Sequence, residues 1–172
     1  QMPRAIRFND RTNLTSGIAR LGQRMQRQGT VAEQAHDGDT LIVSAVGDIG
    51  VRLLGIDTPE ISFLFPGTTE FVGIEDQRWK SFLAAPFDKK WPQFSKPLPE
   101  GLQQFLKARL HDDASENHHG HARAAEMALE REITADLKVM QKTIETFQMF
   151  MVFGYEIMDG YGRFLCFINR NQ

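Results

Sequence analysis

The sequence HDGDTLIVSAVGDIGVRLLGIDTPE, residues 36–60, is predicted to form a β-hairpin around which the fold is built. Residues 41–46 are apolar and rich in β-branched side chains, which is typical of a strand. The glycines at the two ends of residues 47–50 predict a turn, and residues 51–56 return as a second apolar strand. The hairpin therefore carries the polar residues before its first strand and after its second strand to one end of the sheet.

Acidic residues occupy that common end of the predicted hairpin. Folding the chain about Asp48 and Ile49 places Asp39 opposite Asp57 and Thr58, within one residue of register. The two carboxylates would repel each other without a cation between them. Because carboxylate and hydroxyl oxygens are donors that hard ions prefer, this pattern predicts a calcium or magnesium site.

Three motifs, taken in order, resemble the staphylococcal nuclease (thermonuclease) family. They are DGDT at residues 37–40, VRLLGIDTPE at residues 51–60 and DGYGR at residues 159–163. Each motif alone is a common turn sequence, whereas the ordered combination is specific; the resemblance covers about residues 29–60 and 147–168. It implies a five-stranded OB-fold barrel. Together with a long helix packed on the barrel and a large helical, aromatic insertion, both predicted from the residues themselves, the fold class is α+β.

The resemblance implies a calcium site built from the hairpin. Asp39 and Asp57 would bind Ca²⁺ through their carboxylates, and Thr58 through its backbone carbonyl. Asp37 matches the acidic residue that precedes the metal ligand and would support it from the second shell of contacts. Three protein ligands are few for calcium, so water and a substrate phosphate would complete the coordination.

The resemblance also implies the catalytic roles. Glu60 would be the general base that activates water, and Arg52 and Arg163 would clamp the phosphate in the transition state, a task that suits the guanidinium fork. Tyr161 would contact a substrate phosphate. Gly160 stands where the family often has a lysine, so one phosphate contact is absent here.

These roles predict a calcium-dependent endonuclease that hydrolyses DNA, with RNA as a further candidate substrate. The resemblance implies 3′-phosphate products. One alternative is a non-catalytic nucleic-acid-binding or protein-binding module of nuclease-like fold. Another is an assembly subunit whose aromatic insertion binds a protein partner. Retention of the acidic residues and both arginines favours the enzyme over the inactive module.

The composition is that of an ordinary globular domain. Hydrophobic residues make up 41% of the 172 residues and charged residues 24%. The net charge of −2 excludes a globally basic nucleic-acid binder, so attraction for phosphate must be local. We expect no membrane association, because no apolar run is long enough to span a bilayer. No secretory signal pattern is visible, although the family resemblance favours a secreted or periplasmic protein.

The predicted domain organisation has two parts, an N-terminal arm and a domain that contains the hairpin. Residues 1–28 contain six arginines and one acidic residue, which predicts a basic N-terminal arm. The arm is either solvated, with a short helix over residues 16–28, or binds along a phosphate backbone. Residues 29–172 form the nuclease-like domain, whose first strand is predicted at residues 30–35. The family's C-terminal helices have no counterpart here. Either the long insertion takes their place, or an apolar face is left for a second chain, another copy or a missing C-terminal segment.

The insertion, about residues 61–116, is rich in proline and aromatic residues and is predicted to be ordered. Helices are expected near residues 75–85 and 100–111. Two interpretations stay open, a structural embellishment whose aromatic side chains pack on the barrel or a wall of the substrate groove that stacks a base. A long amphipathic helix is predicted over residues 121–141, followed by strands at residues 146–153 and 164–168, the last containing a buried Cys166.

A histidine cluster lies between the insertion and the long helix. His118 and His121 are spaced to share a helical face and are candidate metal ligands. The alternative is a solvated segment at the start of the helix, with Ser115 as the N-cap. The sequence favours this second interpretation, because no cysteine accompanies the histidines.

Overall fold

The computed structural model describes residues 6–22, 31, 35–44, 48–92, 96–111 and 113–170, without the side chains of Arg7, Asp48, Tyr155 and Glu156. Its elements, in chain order, are β1 Ile6–Asn9, β2 Leu14–Leu21, β3 Thr40–Ser44, β4 Asp48–Leu53, β5 Ser62–Leu64, β6 Phe71–Gly73, α1 Gln77–Ala84, α2 Glu100–Lys107, α3 Ala114–Val139, β7 Gln148–Met158 and β8 Phe164–Arg170. They divide into two compact units, one formed by Gln1–Thr58 with Ala124–Gln172 and the other by Pro59–Arg123.

The first unit is a closed barrel. Five strands run in the order β2-β3-β4-β8-β7, and β7 pairs with β2 to close the ring. The pairings are antiparallel except that of β4 with β8, which is parallel, and β1 extends the sheet beside β2. This mixed five-stranded barrel confirms the predicted α+β, OB-like fold.

The hairpin register differs from the prediction. Thr40 pairs with Arg52 and Ser44 with Asp48, so residues 48–50 are strand and not turn. Asp39 consequently aligns with Leu53, whose N–H donates to the Asp39 carbonyl at 2.8 Å, and not with Asp57. The glycines misled the prediction, because Gly50 lies within strand β4, opposite Ile42.

The N-terminal prediction is wrong where the structure describes that segment. Leu14–Leu21, expected to be arm and helix, is the barrel strand β2, in which Gly17, Ala19 and Leu21 face inward while Arg20 faces solvent. This alternation is strand periodicity, which the arginine-rich composition obscured. Most of the strand expected at residues 30–35 lies outside the described residues, and Ala35 makes an isolated bridge with Leu41.

Helix α3 supplies one side of the barrel core. Ile133 is buried among barrel residues, and Leu129, Leu137, Met140 and Ile144 pack against the same core, which confirms the predicted apolar stripe. Cys166 is fully buried, as predicted. The helix begins at Ala114, earlier than expected.

The second unit has a small aromatic core of its own. Phe65, Trp79 and Phe82 are buried with Val72 and Ile74, and their rings meet edge to face at centroid distances of 5.0–6.3 Å. The Trp79 indole N–H donates to the Val72 carbonyl at 3.0 Å. Much of the aromatic content of the insertion therefore stabilises this unit itself.

The helices of the second unit follow the prediction with shifted ends. Helix α1 matches the expected segment, and α2 ends at Lys107, before the expected limit. Ser115 is not an N-cap; it lies inside α3, and its buried hydroxyl donates to the Ile74 carbonyl. In the described part of the chain, no helix combines the length and apolar character needed to cross a membrane.

Candidate active site

The DGD turn before β3 buries two carboxylates at the end of the barrel. Asp37 is 3% exposed and Asp39 is 1% exposed. The Asp39 N–H donates to Asp37 Oδ1 at 3.3 Å, while Asp39 Oδ1 accepts from the Thr40 hydroxyl at 3.0 Å and Oδ2 from the Thr58 N–H at 3.4 Å. A buried charge is costly without partners. The bonds to Oδ1 and Oδ2 supply such partners and hold the Asp39 carboxylate in one orientation.

Arg52 joins the two predicted metal ligands. Its Nη2 atom lies 3.1 Å from Asp39 Oδ2 and 2.8 Å from Asp57 Oδ1. Since both oxygens contact one nitrogen atom, they are within about 6 Å of each other. The structure thus brings together Asp39, Asp57 and Thr58, although by a turn of the chain after β4 and not by the predicted strand pairing.

Gly38 is required for this close packing. A Cβ atom at position 38 would lie 2.6 Å from the Ala125 Cβ atom of α3, 2.8 Å from Thr58 Cγ2 and 3.0 Å from the Ala125 carbonyl carbon. Contacts below 3 Å are not tolerated without movement. The absence of a side chain therefore lets the DGD turn lie directly against α3 and Thr58.

Arg163 reaches the same barrel end from the start of β8. Its Nη1 donates to the Thr40 hydroxyl at 3.0 Å, and Thr40 in turn donates to Asp39. Its Nε donates to Asp159 Oδ2 at 2.7 Å. The parallel pairing of β4 with β8 and the pairing of Thr40 with Arg52 explain why side chains so distant in sequence meet here.

The loop before Arg163 is shaped by Asp159. Asp159 Oδ1 accepts from the backbone N–H groups of Tyr161 and Arg163, both at 2.9 Å, and Gly162 adopts a φ of +81°, which favours glycine. Tyr161 remains 81% exposed, with its ring centroid 5.5 Å from Arg163 Cζ. The loop thus holds the arginine firmly while presenting the tyrosine to solvent.

Electrostatics keep this ion pair charged. Burial opposes the charge on Arg163, but the hydrogen bond and charge of Asp159, with the charges of Asp37 and Asp39, outweigh it and raise the arginine pKa. Burial likewise opposes the charge on Asp159, but hydrogen bonds from Arg163 and the Tyr161 N–H lower the pKa of its carboxyl. Arg163 is therefore a permanently cationic, fixed donor.

Glu60, the predicted general base, belongs to the second unit. Its side chain is exposed, and its backbone carbonyl accepts a hydrogen bond from His118 Nε2 at 2.9 Å. Its role in activating water stays a prediction. The sequence analysis did not predict that Asp159 orients Arg163. The signal was present, because an Asp four residues before an Arg, with glycines between them, is typical of a turn in which the Asp side chain accepts backbone hydrogen bonds.

The chain matches no protein-family model, no curated protein and no solved structure. Asp39 and Asp57 offer carboxylate oxygens, the donors that a hard cation prefers, and both contact one cationic atom, Arg52 Nη2. Among the described residues, no three histidine, cysteine, aspartate or glutamate side chains converge as a metal-sized group. An ion bound here would therefore depend on two carboxylates, with carbonyl, water or phosphate oxygens as its other ligands.

Proposed function

We propose that this protein is a calcium-dependent phosphodiesterase, an endonuclease that hydrolyses DNA, with RNA as a further candidate substrate. The observation that carries the proposal lies at one end of a closed barrel, where Arg52 contacts the carboxylates of both Asp39 and Asp57. A second guanidinium group, that of Arg163, is linked to Asp39 through the Thr40 hydroxyl. Anionic oxygens for a cation and forked N–H donors for phosphate oxygens are the groups that phosphodiester hydrolysis requires.

The two arginines differ in how they would act. Arg163 is already anchored through Nε to Asp159 and through Nη1 to Thr40, so its orientation needs little change when phosphate arrives. Arg52 contacts both acids through Nη2, and it would exchange at least one of these contacts for a phosphate oxygen. Both groups would hold the negative charge that develops on the phosphate in the transition state.

The metal and the base complete the proposed chemistry. Asp39, Asp57 and the Thr58 carbonyl would hold the calcium ion, which supplies positive charge to a phosphate oxygen when bound. Asp37 stabilises the turn, because its carboxylate accepts a hydrogen bond from the Asp39 N–H. Glu60, two residues after Thr58 in the sequence, would accept the proton of the attacking water, because an ionised carboxylate is a proton acceptor only.

The test is digestion of supercoiled plasmid and single-stranded DNA with calcium, with a chelator, and by variants. Arg163→Ala and Glu60→Ala are expected to reduce cleavage by about a hundredfold or more, because each removes a transition-state interaction. Arg131→Ala, an exposed arginine of α3, is the matched control and should cleave like the wild-type protein. Retained activity in either site variant contradicts the assigned roles.

Complete inactivity of the folded wild-type protein would instead favour a binding module of nuclease-like fold. Such a module would bind a labelled oligonucleotide without cleaving it in calcium. A chelator-sensitive cleavage that survives purification to a single species excludes this alternative.

A further inference from the structure

A cavity of about 220 Å³ lies wholly within the first unit, between α3 and the barrel. Four barrel strands contribute to its lining, through Leu41 of β3, Leu53 of β4, Met149 of β7 and Cys166 of β8. Helix α3 lines the other side with Ile133. Among the described lining residues, none belongs to the proposed reaction, so the cavity is separate from the candidate active site.

The inner wall of the cavity is apolar and deeply buried. Leu41, Phe147 and Met149 are each 2% exposed, and Cys166 is fully buried. The side chains of this wall offer only a weakly polar thiol for hydrogen bonding, whereas a water molecule in a protein interior needs about two to four polar partners. The inner wall therefore favours a hydrocarbon group over water.

The same cavity reaches the surface beside two exposed apolar side chains. Ile56, which follows β4, is 48% exposed and Phe167 of β8 is 57% exposed, although both line the cavity together with the buried residues. Because apolar surface is costly to keep in water, a ligand that enters beside them removes further apolar area from solvent. The mouth is therefore open to solvent and favours an apolar chain, as the inner wall does.

The size of the cavity limits the ligand to a short chain. An apolar cavity of about 150 Å³ is large enough to hold benzene. A cavity of about 220 Å³ therefore has room for a linear chain of about six to eight carbon atoms. The end of a longer chain would stay in solvent and would add nothing to the affinity.

The charged part of the lining selects the head group of the ligand. Arg170 Nη1 lies 3.4 Å from Asp136 Oδ1, so these two residues form an ion pair. Glu132 also lines the cavity and is exposed one turn before Asp136 on α3, and side chains four residues apart lie on the same face of a helix. Two carboxylates and one guanidinium group give the lining a formal charge of −1, which favours a cationic head group over a neutral or anionic one.

We propose that this cavity binds a short aliphatic amine, whose hydrocarbon chain lies between α3 and the barrel and whose ammonium group lies beside Glu132 and Asp136. An ammonium group only donates hydrogen bonds, which suits the oxygens of two carboxylates. An aliphatic carboxylate would meet like charge at Glu132 and would compete with Asp136 for Arg170. The cavity thus gives the protein a binding function that does not depend on the proposed nuclease activity.

The first measurement is an NMR titration of the full chain with isotope-labelled methionine methyl groups. The probes are hexylamine, hexanol and hexanoate, which share a chain and differ in charge. Hexylamine should shift the Met149 methyl signal and leave that of Met127, an exposed methionine of α3 that does not line the cavity, in place. It should bind about threefold more tightly than hexanol, and hexanoate should bind most weakly.

The length of the chain tests the size of the cavity. From butylamine through hexylamine to octylamine, each added methylene group should tighten binding about fourfold, because it transfers apolar surface from water to the cavity. Decylamine should bind no more tightly than octylamine, because its end would extend beyond the mouth.

Variants separate the contribution of charge from that of apolar contact. Glu132→Gln should weaken hexylamine about threefold and leave hexanol unchanged. Asp10→Asn, which removes an exposed acid in the turn between β1 and β2, is the matched control and should change neither. Leu129→Phe adds volume inside the cavity and should weaken both ligands about tenfold. Ile56→Ala, at an exposed position that tolerates the change, should weaken both about threefold.

Three results would overturn the proposal. They are a Met149 signal that hexylamine does not shift, equal affinities for the three hexyl compounds, and amine binding that neither Glu132→Gln nor Ile56→Ala weakens. Because none of these readouts involves cleavage, failure of the cavity is distinguishable from failure of the proposed nuclease activity. Circular dichroism of each variant verifies that the fold is retained.

Discussion

Replacing Gly38 with alanine should disrupt the barrel end more than any other glycine-to-alanine change at the site. The added methyl group would meet Ala125 Cβ at 2.6 Å and Thr58 Cγ2 at 2.8 Å, and neither neighbour is a flexible side-chain end. Relief requires the DGD turn to move away from α3. That movement would carry Asp37 and Asp39 with it, so both stability and the geometry of the acids should suffer.

The expected magnitude follows from the number and type of contacts. Inserting a methyl group into a packed site typically costs about 1–3 kcal/mol, and the third contact, 3.0 Å to the Ala125 backbone, places Gly38→Ala at the upper end. Gly120→Ala is the matched control, since nothing lies within 4 Å of its added Cβ in the interior of α3. Alanine there should stabilise the protein by up to about 1 kcal/mol.

Urea unfolding followed by circular dichroism measures both changes. A double mutant, Gly38→Ala with Ala125→Gly, removes the shortest contact and should recover part of the lost unfolding free energy. After subtraction of the cost of glycine in the helix, measured in Ala125→Gly alone, the coupling energy between the two substitutions should be at least about 0.5 kcal/mol. Equal midpoints for the wild-type protein and Gly38→Ala, or strict additivity in the cycle, would refute the packing argument. Calcium-dependent cleavage by Gly38→Ala should fall together with its stability.

Three further changes probe the charges and the core. Arg52→Gln leaves the buried Asp39 without its cation and should destabilise the protein by about 1–3 kcal/mol, a loss that calcium partly restores if the acids bind it; an unchanged midpoint contradicts this. Asp159→Asn should be less stable than the wild-type protein above about pH 4, because the ionised carboxyl, whose pKa is lowered in the folded state, stabilises the fold. The difference in unfolding free energy should shrink on acidification, as the wild-type carboxyl becomes protonated. A difference that stays constant when unfolding is measured across this pH range would contradict the prediction. Burial raises the pKa of the Cys166 thiol to about 11 from 9.0, so a disulfide reagent at pH 8 should meet about a hundredfold less thiolate than in urea; equal labelling rates would show that the core opens.

The sequence predicted the barrel and the residues at its end better than it predicted how they meet. Periodicity identified α3 and the strands around Cys166, because their apolar stripes are long and regular. It failed for Leu14–Leu21, where small inward residues give a weak apolar signal beside arginines. The meeting of Asp39 with Asp57 was predicted from a wrong register, since the turn of the chain after β4 is a tertiary feature that no local pattern records.

The contacts of Arg52 with two acids and the link from Asp159 through Arg163 to Thr40 could not be predicted from the sequence, because each depends on partners that the barrel brings together. Arg52 contacts both acids because the pairing of β3 with β4 places it opposite Thr40, the residue that follows Asp39. Asp159 has a local signal, the Asx-type turn before Arg163, but the arginine that it orients also contacts Thr40, more than a hundred residues earlier. Such contacts become visible only once the strand order is known.

The balance of charge at the barrel end argues for the order in which the proposed reaction components bind. Among the described residues, four carboxylates, Asp37, Asp39, Asp57 and Asp159, lie around two guanidinium groups, and the formal charge of these six groups is −2. A phosphodiester approaching this cluster alone meets net repulsion, whereas a divalent cation neutralises it. Calcium should therefore bind before nucleic acid, and the protein should show little affinity for an oligonucleotide in a chelator at this site. A binding module without metal would have to hold nucleic acid under those conditions, so tight calcium-independent binding that Arg163→Ala abolishes would favour the module over the enzyme.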